Sequence, residues 1–371
     1  MTRASSAADL RLGFESTSLL GARSGVGAMA SAVLERLAGR PDLVVEALGV
    51  SWRGRRDLPG VVPGGVGTRA TRFPARAAHR MWQHGNWPRF GGFDVVHGPN
   101  FVVPPAGGAA ELMTIHDIGP WRFPSLVNAH VRAYPRLVDR AIGRGAHVHV
   151  PSEFVRREVV EHIGVEPDRV HMIPNGYEIS TGGDPSLGKR LAGRPYVLGL
   201  GTIDPRKNFA ALIDAMGLVW EQIPELGLVI AGGPGLDSVK VQTAIDRIDP
   251  QGRVSMVGYV SDHQRNSLLA GAECLAYPSL YEGFGLPPLE AMSYSTPVVA
   301  ADAGSLPEVC GDAALLVEPS DHEHLAQSIV DVVTDSALAT KLVNSGHSQV
   351  QQFSWDKATN GLVKLYQTLR V

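Results

Sequence analysis

Cysteine is almost missing from this chain: Cys274 and Cys310 are the only two in 371 residues. Two thiols cannot build a disulfide framework, and no cluster of Cys or His has metal-ligand spacing. Asp-x-Asp is absent as well, so the sequence predicts no metal and no cofactor. An excess of one charge is also lacking. Lys and Arg number 34 against 37 Asp and Glu, which offers nucleic acid no global attraction. No run of about eighteen apolar residues is present, and Met1 to Ala8 lacks a basic start followed by an apolar stretch. These absences predict a cytosolic protein in a reducing compartment, touching a membrane only peripherally, at its inner face. Internal repeats and low-complexity tracts are missing too.

What is present describes an enzyme-sized globular chain, with 44% hydrophobic residues, 42 Gly and 26 Pro. Its length exceeds what one core usually organises, so two domains are expected. Short apolar runs alternate with helical periodicity: Leu10 to Phe14, a helix near Gly25 to Ala38, Leu43 to Val50, Val95 to His97, Leu112 to Ile115, a helix near Leu126 to Ile142, and Val148 to Val150. Ser152 is placed to cap the next helix. Alternation of this kind predicts a parallel sheet in a doubly wound α/β domain over residues 1–176. A Gly-, Ser-, Thr-, Asp- and Pro-rich stretch over 177–195 reads as a linker. A second doubly wound domain is expected over 196–353, and the helix over 354–371 is expected to return to the first.

Ligands of open α/β sheets bind at the carboxyl ends of the strands. The strongest signal at such an end is Tyr281-Glu282-Gly283-Phe284-Gly285-Leu286-Pro287-Pro288-Leu289-Glu290, which follows a strand and opens a helix. Gly283 and Gly285 let backbone approach a ligand, and the N–H groups of the helix starting at Leu286 favour an anion such as a diphosphate. Pro287 and Pro288 suit a first helical turn. Glu282 and Glu290 would repel that anion, so they suit sugar hydroxyls, or else merely complement the helix dipole. Arg206 and Lys207, within Asp204-Pro205-Arg206-Lys207-Asn208, follow another strand and present a planar fork and a point charge, unless they are ordinary solvated cations.

This constellation resembles the paired-glutamate motif and basic pair of the family four glycosyltransferases, whose fold is GT-B: two Rossmann-like domains facing across a cleft. The likeness spans nearly the whole chain and is nearest to mannosyl-transferring members. It implies a metal-independent, retaining transferase in which Arg206 and Lys207 grip the donor diphosphate, Glu282 contacts the donor sugar and Glu290 the ribose. Phe284 and Leu286 belong to the same donor motif. Ser24, Gly25, Val26 and Gly27 resemble the family's glycine-rich loop beside the phosphates. His116, with Asp117, is placed by the resemblance at the reaction centre, and Tyr259 on the base-contacting loop. The implied partners are a GDP- or UDP-linked sugar donor and a glycan, lipid-linked or small-molecule acceptor. Leu58 to Phe93 contains no acid, and its Arg69, Arg72, Arg76, Arg80 and Arg89 accompany Trp82 and Trp87, which suits an anionic lipid surface, or else a solvated irregular loop. Other readings of the same architecture are a silent nucleotide-sugar-binding protein and a sugar phosphorylase.

Overall fold

The computed structural model describes residues 9–21, 25–179, 182–249 and 251–370. Met1 to Ala8, and Ser24 of the glycine-rich stretch, lie outside the described residues. The chain divides into two compact units, 1–176 with 354–371, and 177–353.

Among the described residues the first unit holds seven strands: β1 Leu10–Glu15, β2 Leu43–Gly49, β3 Gly67–Ala70, β4 Val95–Gly98, β5 Ala110–Thr114, β6 His147–Val150 and β7 Val170–Met172. They pair in the order β3-β2-β1-β4-β5-β6-β7, all parallel. Chain order reverses between β1 and β4, which sets a switch point where ligands of doubly wound sheets bind. Helix Gly25–Leu37 packs against the last helix, Trp355–Leu369, over a shared core with Leu12, Phe14 and Val95. Ser354 caps that last helix by accepting from Lys357 N–H at 3.2 Å. Trp355, Ala358, Leu362, Val363, Tyr366 and Leu369 recur at helical spacing on its buried side.

A chain of hydrogen bonds crosses this core. Tyr366 Oη lies 2.7 Å from His97 Nδ1, His97 Nε2 lies 2.9 Å from Thr114 Oγ1, Thr114 Oγ1 lies 2.9 Å from His149 Nδ1, and His149 Nε2 lies 2.9 Å from the Ile173 carbonyl. The carbonyl can only accept, and with both rings neutral this fixes every proton. His149 donates from Nε2 and accepts from Thr114, which accepts from His97 Nε2–H, whose Nδ1 accepts from Tyr366. This is the proton pattern of two neutral imidazoles, and burial keeps them so. Burial drives His97 well below its ordinary pKa and His149 down to about 4.

The second unit holds β8 Tyr196–Leu200, β9 Gly227–Ala231, β10 Val254–Gly258, β11 Cys274–Tyr277, β12 Val298–Ala301 and β13 Ala314–Val317. Their order is β10-β9-β8-β11-β12-β13, again parallel, with the switch point between β8 and β11. Every residue of β8, β9, β11 and β12 is buried, as expected of strands covered on both faces. Cys274 and Cys310 are both buried and free.

Three expectations change. Residues 177–195 are not a plain linker: they belong to the second unit and contain helix Pro185–Ala192. Asp184 caps it through Ser186 N–H, and Gly193 ends it in the left-handed region. Its attachment depends on Gly188, where a Cβ would stand 2.2 Å from the Ser267 carbonyl oxygen. Gly188→Ala is therefore expected to destabilise the second unit by about 1–3 kcal/mol in urea unfolding, as for overpacked sites. The helix expected from Leu126 begins only at Tyr134, because the Asn128 side chain accepts from both His130 and Val131 N–H at 3.0 Å and holds a turn there. In the Arg-rich stretch, Trp82 is buried and donates to the Pro88 carbonyl at 2.8 Å, so it is no interfacial aromatic. Arg69 is likewise bound, to both carboxylate oxygens of Glu46 at 3.0 Å. Arg72, Arg76, Arg80 and Arg89 remain exposed alongside Trp87.

Candidate active site

The loops that follow β8 and β11 flank the switch point of the second sheet, and they carry the basic pair and Glu282. After β8, Gly201 leaves the strand at φ +139°, and a Cβ at neighbouring Gly232 would stand 1.8 Å from the Gly201 carbonyl oxygen. Only glycine at both positions allows this close crossing of backbones. Asp204 then caps a single helical turn, its Oδ1 accepting from Arg206 N–H and from Arg206 Nε, each at 3.0 Å. Asn208, at φ 56°, turns the chain into helix Phe209–Gln222.

The two loops are tied together. Arg206 O accepts from Leu280 N–H at 2.7 Å, and Ser279 Oγ lies 3.0 Å from it. Lys207 Nζ lies 2.6 Å from Glu282 Oε1 and also donates to Tyr277 Oη at 2.5 Å. Glu282 Oε1 accepts further from Tyr277 Oη at 3.0 Å and Ser279 Oγ at 2.5 Å. Burial alone would raise the Glu282 pKa, but the Lys207 charge and the hydrogen bonds from Lys207, Ser279 and Tyr277 hold it below the ordinary value. Tyr277 is driven far upward by burial and by the Glu282 carboxylate.

Behind this cluster, Ser305 clamps the motif: its hydroxyl lies 3.0 Å from Glu282 O and 2.7 Å from Phe284 O. Gly304, at φ +63°, passes so close that a Cβ would meet Glu282 O at 2.8 Å. Gly285, at φ +106°, precedes helix Leu286–Ser293, which has proline in its first turn as the sequence suggests. Pro287 and Pro288 carry no N–H, so of these first three helical positions only Leu286 offers a backbone donor.

Glu290 stands one turn into that helix, its Oε1 3.7 Å from Arg265 Nη1. Burial raises its pKa, against the pull of Arg265. Tyr259 is 88% exposed, on the loop after edge strand β10, with β9 between it and β8.

In the first unit, His116 follows β5, and its Nε2 lies 2.8 Å from the Pro99 carbonyl, which follows β4. That carbonyl requires a proton on Nε2, leaving the Nδ1 lone pair outward of the bond. Burial lowers the His116 pKa against the opposing pull of Pro99 and Asp117, so the ring is neutral near pH 7. Asp117 Oδ1 accepts from Gly119 N–H at 2.7 Å and closes the following turn. Gly25 and Gly27 do not form a loop. They occupy the first turn of helix Gly25–Leu37.

Sequence reasoning missed Tyr277, Ser279, Ser305 and Arg265. The first two end a strand and begin a loop as any core-edge residues would, and their role appears only when Lys207, 75 positions from Glu282, is brought to them. Among the described residues, no group of three or more His, Cys, Asp or Glu is placed to hold a metal ion. No described helix is long and apolar enough to cross a membrane.

Comparison with known proteins places this arrangement. Residues 23–181 match the model described as Glycosyltransferase Family 4, and residues 188–349 match Glycosyl transferases group 1. The O-antigen chain mannosyltransferase B of Escherichia coli is 32% identical over 74% of this chain and 74% of its own length. A phosphatidyl-myo-inositol mannosyltransferase of Mycolicibacterium smegmatis is 29% identical over 79% of this chain and 75% of its own. Two solved structures share the fold over 97% of the chain: sucrose-phosphate synthase from Thermosynechococcus elongatus, covered over 99%, at TM-score 0.71 and 21% identity, and Anabaena HepE in complex with UDP and glucose, covered over 100%, at TM-score 0.70 and 20% identity. With two parallel Rossmann-like α/β sheets of the GT-B class and these relatives, the chain belongs to the family four glycosyltransferases and is a mannosyltransferase-like member.

Proposed function

We propose that this glycosyltransferase moves mannose from a nucleotide-diphosphate donor, GDP-linked in preference to UDP-linked, onto a glycan acceptor, with retention of configuration and without a metal. The observation that carries this reading is the Lys207–Glu282 pair, set with Arg206 and the start of helix Leu286–Ser293 at the switch point of the second sheet. Negative charge grows on the diphosphate as the glycosidic bond breaks. Arg206, Lys207 and the positive end of the helix, where Leu286 keeps its N–H, are preorganised to offset it, in place of a cation. When phosphate oxygens engage Lys207, the Glu282 carboxylate is released to accept sugar hydroxyls. Glu290, beside Arg265, is suited to ribose hydroxyls. His116 donates from Nε2 to backbone, so its Nδ1 is an acceptor for a donor-sugar hydroxyl. Retention follows if the acceptor attacks on the leaving-group face and a diphosphate oxygen takes its proton. The names of the mannosyl-transferring relatives, and the UDP and glucose bound by the HepE structure, support the donor class.

The test is a thermal-shift comparison of GDP, UDP, ADP and their sugar conjugates on native protein, Arg206→Ala and Glu290→Ala. Guanine nucleotides at 100 times Kd should stabilise native protein by about 2.7 kcal/mol, and neither variant to that degree. Stabilisation by uracil nucleotides alone would move the donor to a UDP-sugar. Turnover unchanged by EDTA, with an α-linked product from an α-linked donor by proton NMR, is the expected result for metal-free retention.

The exposed Arg72, Arg76, Arg80 and Arg89, with Trp87, support an acceptor carried at an anionic membrane surface. Replacing the four arginines with Ser is expected to abolish sedimentation with phosphatidylglycerol vesicles. Unchanged sedimentation would remove the membrane from the reading.

A further inference from the structure

A cavity of about 180 Å³ opens in the first unit at the carboxyl ends of β1, β2 and β4, the switch point of that sheet. One wall is a run of rings. Trp82, His79, His130 and Tyr134 follow one another at centroid separations of 5.5, 5.3 and 5.5 Å, and the two imidazoles are within 12° of parallel. Facing into the same space are Glu15 and Ser18. Two buried polar atoms here have no hydrogen-bond partner, Ser18 Oγ and His79 Nδ1. Buried polar atoms are nearly always paired, so two orphans lining one cavity point to a ligand that supplies their partners.

We propose that this cavity binds the terminal ring of an uncharged sugar acceptor, whose hydroxyls pair with Ser18 Oγ, His79 Nδ1 and the Glu15 carboxyl while its C–H face lies on the rings. The proposal rests on the chain being a glycosyltransferase, not on which nucleotide or sugar it uses as donor. A hydroxyl both donates and accepts, so it satisfies the serine hydroxyl, either tautomer of His79 and either state of Glu15. The volume admits one ring and leaves the rest of a glycan outside. Phosphorylated rings are disfavoured: among the described residues lining the cavity none is Lys or Arg, and a phosphate would face Glu15. Burial raises the Glu15 pKa to about 7, against hydrogen bonds from Thr17, and burial lowers His79 to about 4, with His130 adding to the effect. Near pH 7 the imidazole offers no positive charge, and at pH 8 the carboxylate repels an anion more strongly.

The test uses the full chain and ligand-observed saturation-transfer NMR. The probes are the methyl α-glycosides of mannose, glucose, galactose and N-acetylglucosamine, against mannose 6-phosphate and glucose 6-phosphate. At least one neutral glycoside should bind, and Ser18→Ala and His79→Phe should each weaken it about tenfold, equivalent to one lost hydrogen bond. Ser18→Ala removes a single oxygen, so it decides the matter if His79→Phe does not fold. Binding of no neutral glycoside, equal binding by native protein and Ser18→Ala, or tighter binding of a sugar phosphate than of its neutral glycoside would each overturn the proposal. Nucleotide-induced thermal shifts are read in parallel. Their absence from native protein would remove the proposed donor while leaving the glycoside result intact.

Discussion

Lys207→Ala is expected to lower kcat/KM by about 10²- to 10³-fold, the usual cost of removing one preorganised group that meets charge in a transition state. The measurement is initial rate of transfer, or of donor hydrolysis, against donor concentration. Glu282→Ala should behave differently. It strands the Lys207 ammonium in a site where both side chains are largely buried, 17% and 16% exposed. Removing one partner of such a pair destabilises by about 3–5 kcal/mol. Lys207→Ala leaves Glu282 with hydrogen bonds from Ser279 and Tyr277, so its stability cost is smaller. Activity loss with modest unfolding for Lys207→Ala, and both losses for Glu282→Ala, is the expected pattern. Near-native kcat/KM in Lys207→Ala would separate this pair from the chemistry.

Thr114→Val is expected to destabilise the first unit by about 3 kcal/mol, since it leaves the buried Nε2–H of His97 and Nδ1 of His149 unpaired together. Tyr366→Phe removes one donor from the end of the chain and should cost about half as much. Both are read from urea unfolding at pH 7.5. The same histidines set the acid limit. His149 titrates at about 4 folded against 6.5 ordinarily, so between those values the unfolded chain binds the extra proton and stability falls as pH falls. This contribution is fully present above about pH 6.5, and its loss by pH 4 is on the order of 3 kcal/mol for this one buried ring. Glu15 works in the opposite sense. Its folded pKa of about 7 lies above the ordinary 4.5, so its contribution is lost as pH rises through that window. Since His79 and His97 add to His149, the net expectation is steep acid destabilisation.

The legible part of this fold is its interior. Strands such as β8 and β9, buried on both faces, stand out as continuous apolar runs, and the alternation with helices follows. Edge strand β3, Gly67–Ala70, has no such run and became visible only in its pairing with β2. Helix Pro185–Ala192 was hidden because a glycine approach, not an apolar stripe, holds it in place. At the candidate site, residue type and position after a strand single out Arg206, Lys207 and Glu282, and the structure brings Lys207 and Glu282 into contact. What was not readable was partnership: Glu282 holding Lys207, Arg265 facing Glu290, and His79 stacking on His130, 51 positions away in sequence, are products of folding alone.

The first unit is built from both ends of the chain, which reverses the order in which a ribosome can finish the two units. Residues 1–176 emerge first, yet Trp355, Leu362 and Tyr366, which cover Phe14 and Leu12, follow only after all of 177–353. At about 5–20 residues per second, those intervening 177 residues (353 − 176) take roughly ten to thirty-five seconds to make. Throughout that interval the nascent first unit displays an uncovered apolar patch, while the second unit can fold as soon as it clears the tunnel. The unit made first is thus completed last, and a chain released before its final helix would carry a finished second unit joined to a first unit whose apolar face stays uncovered.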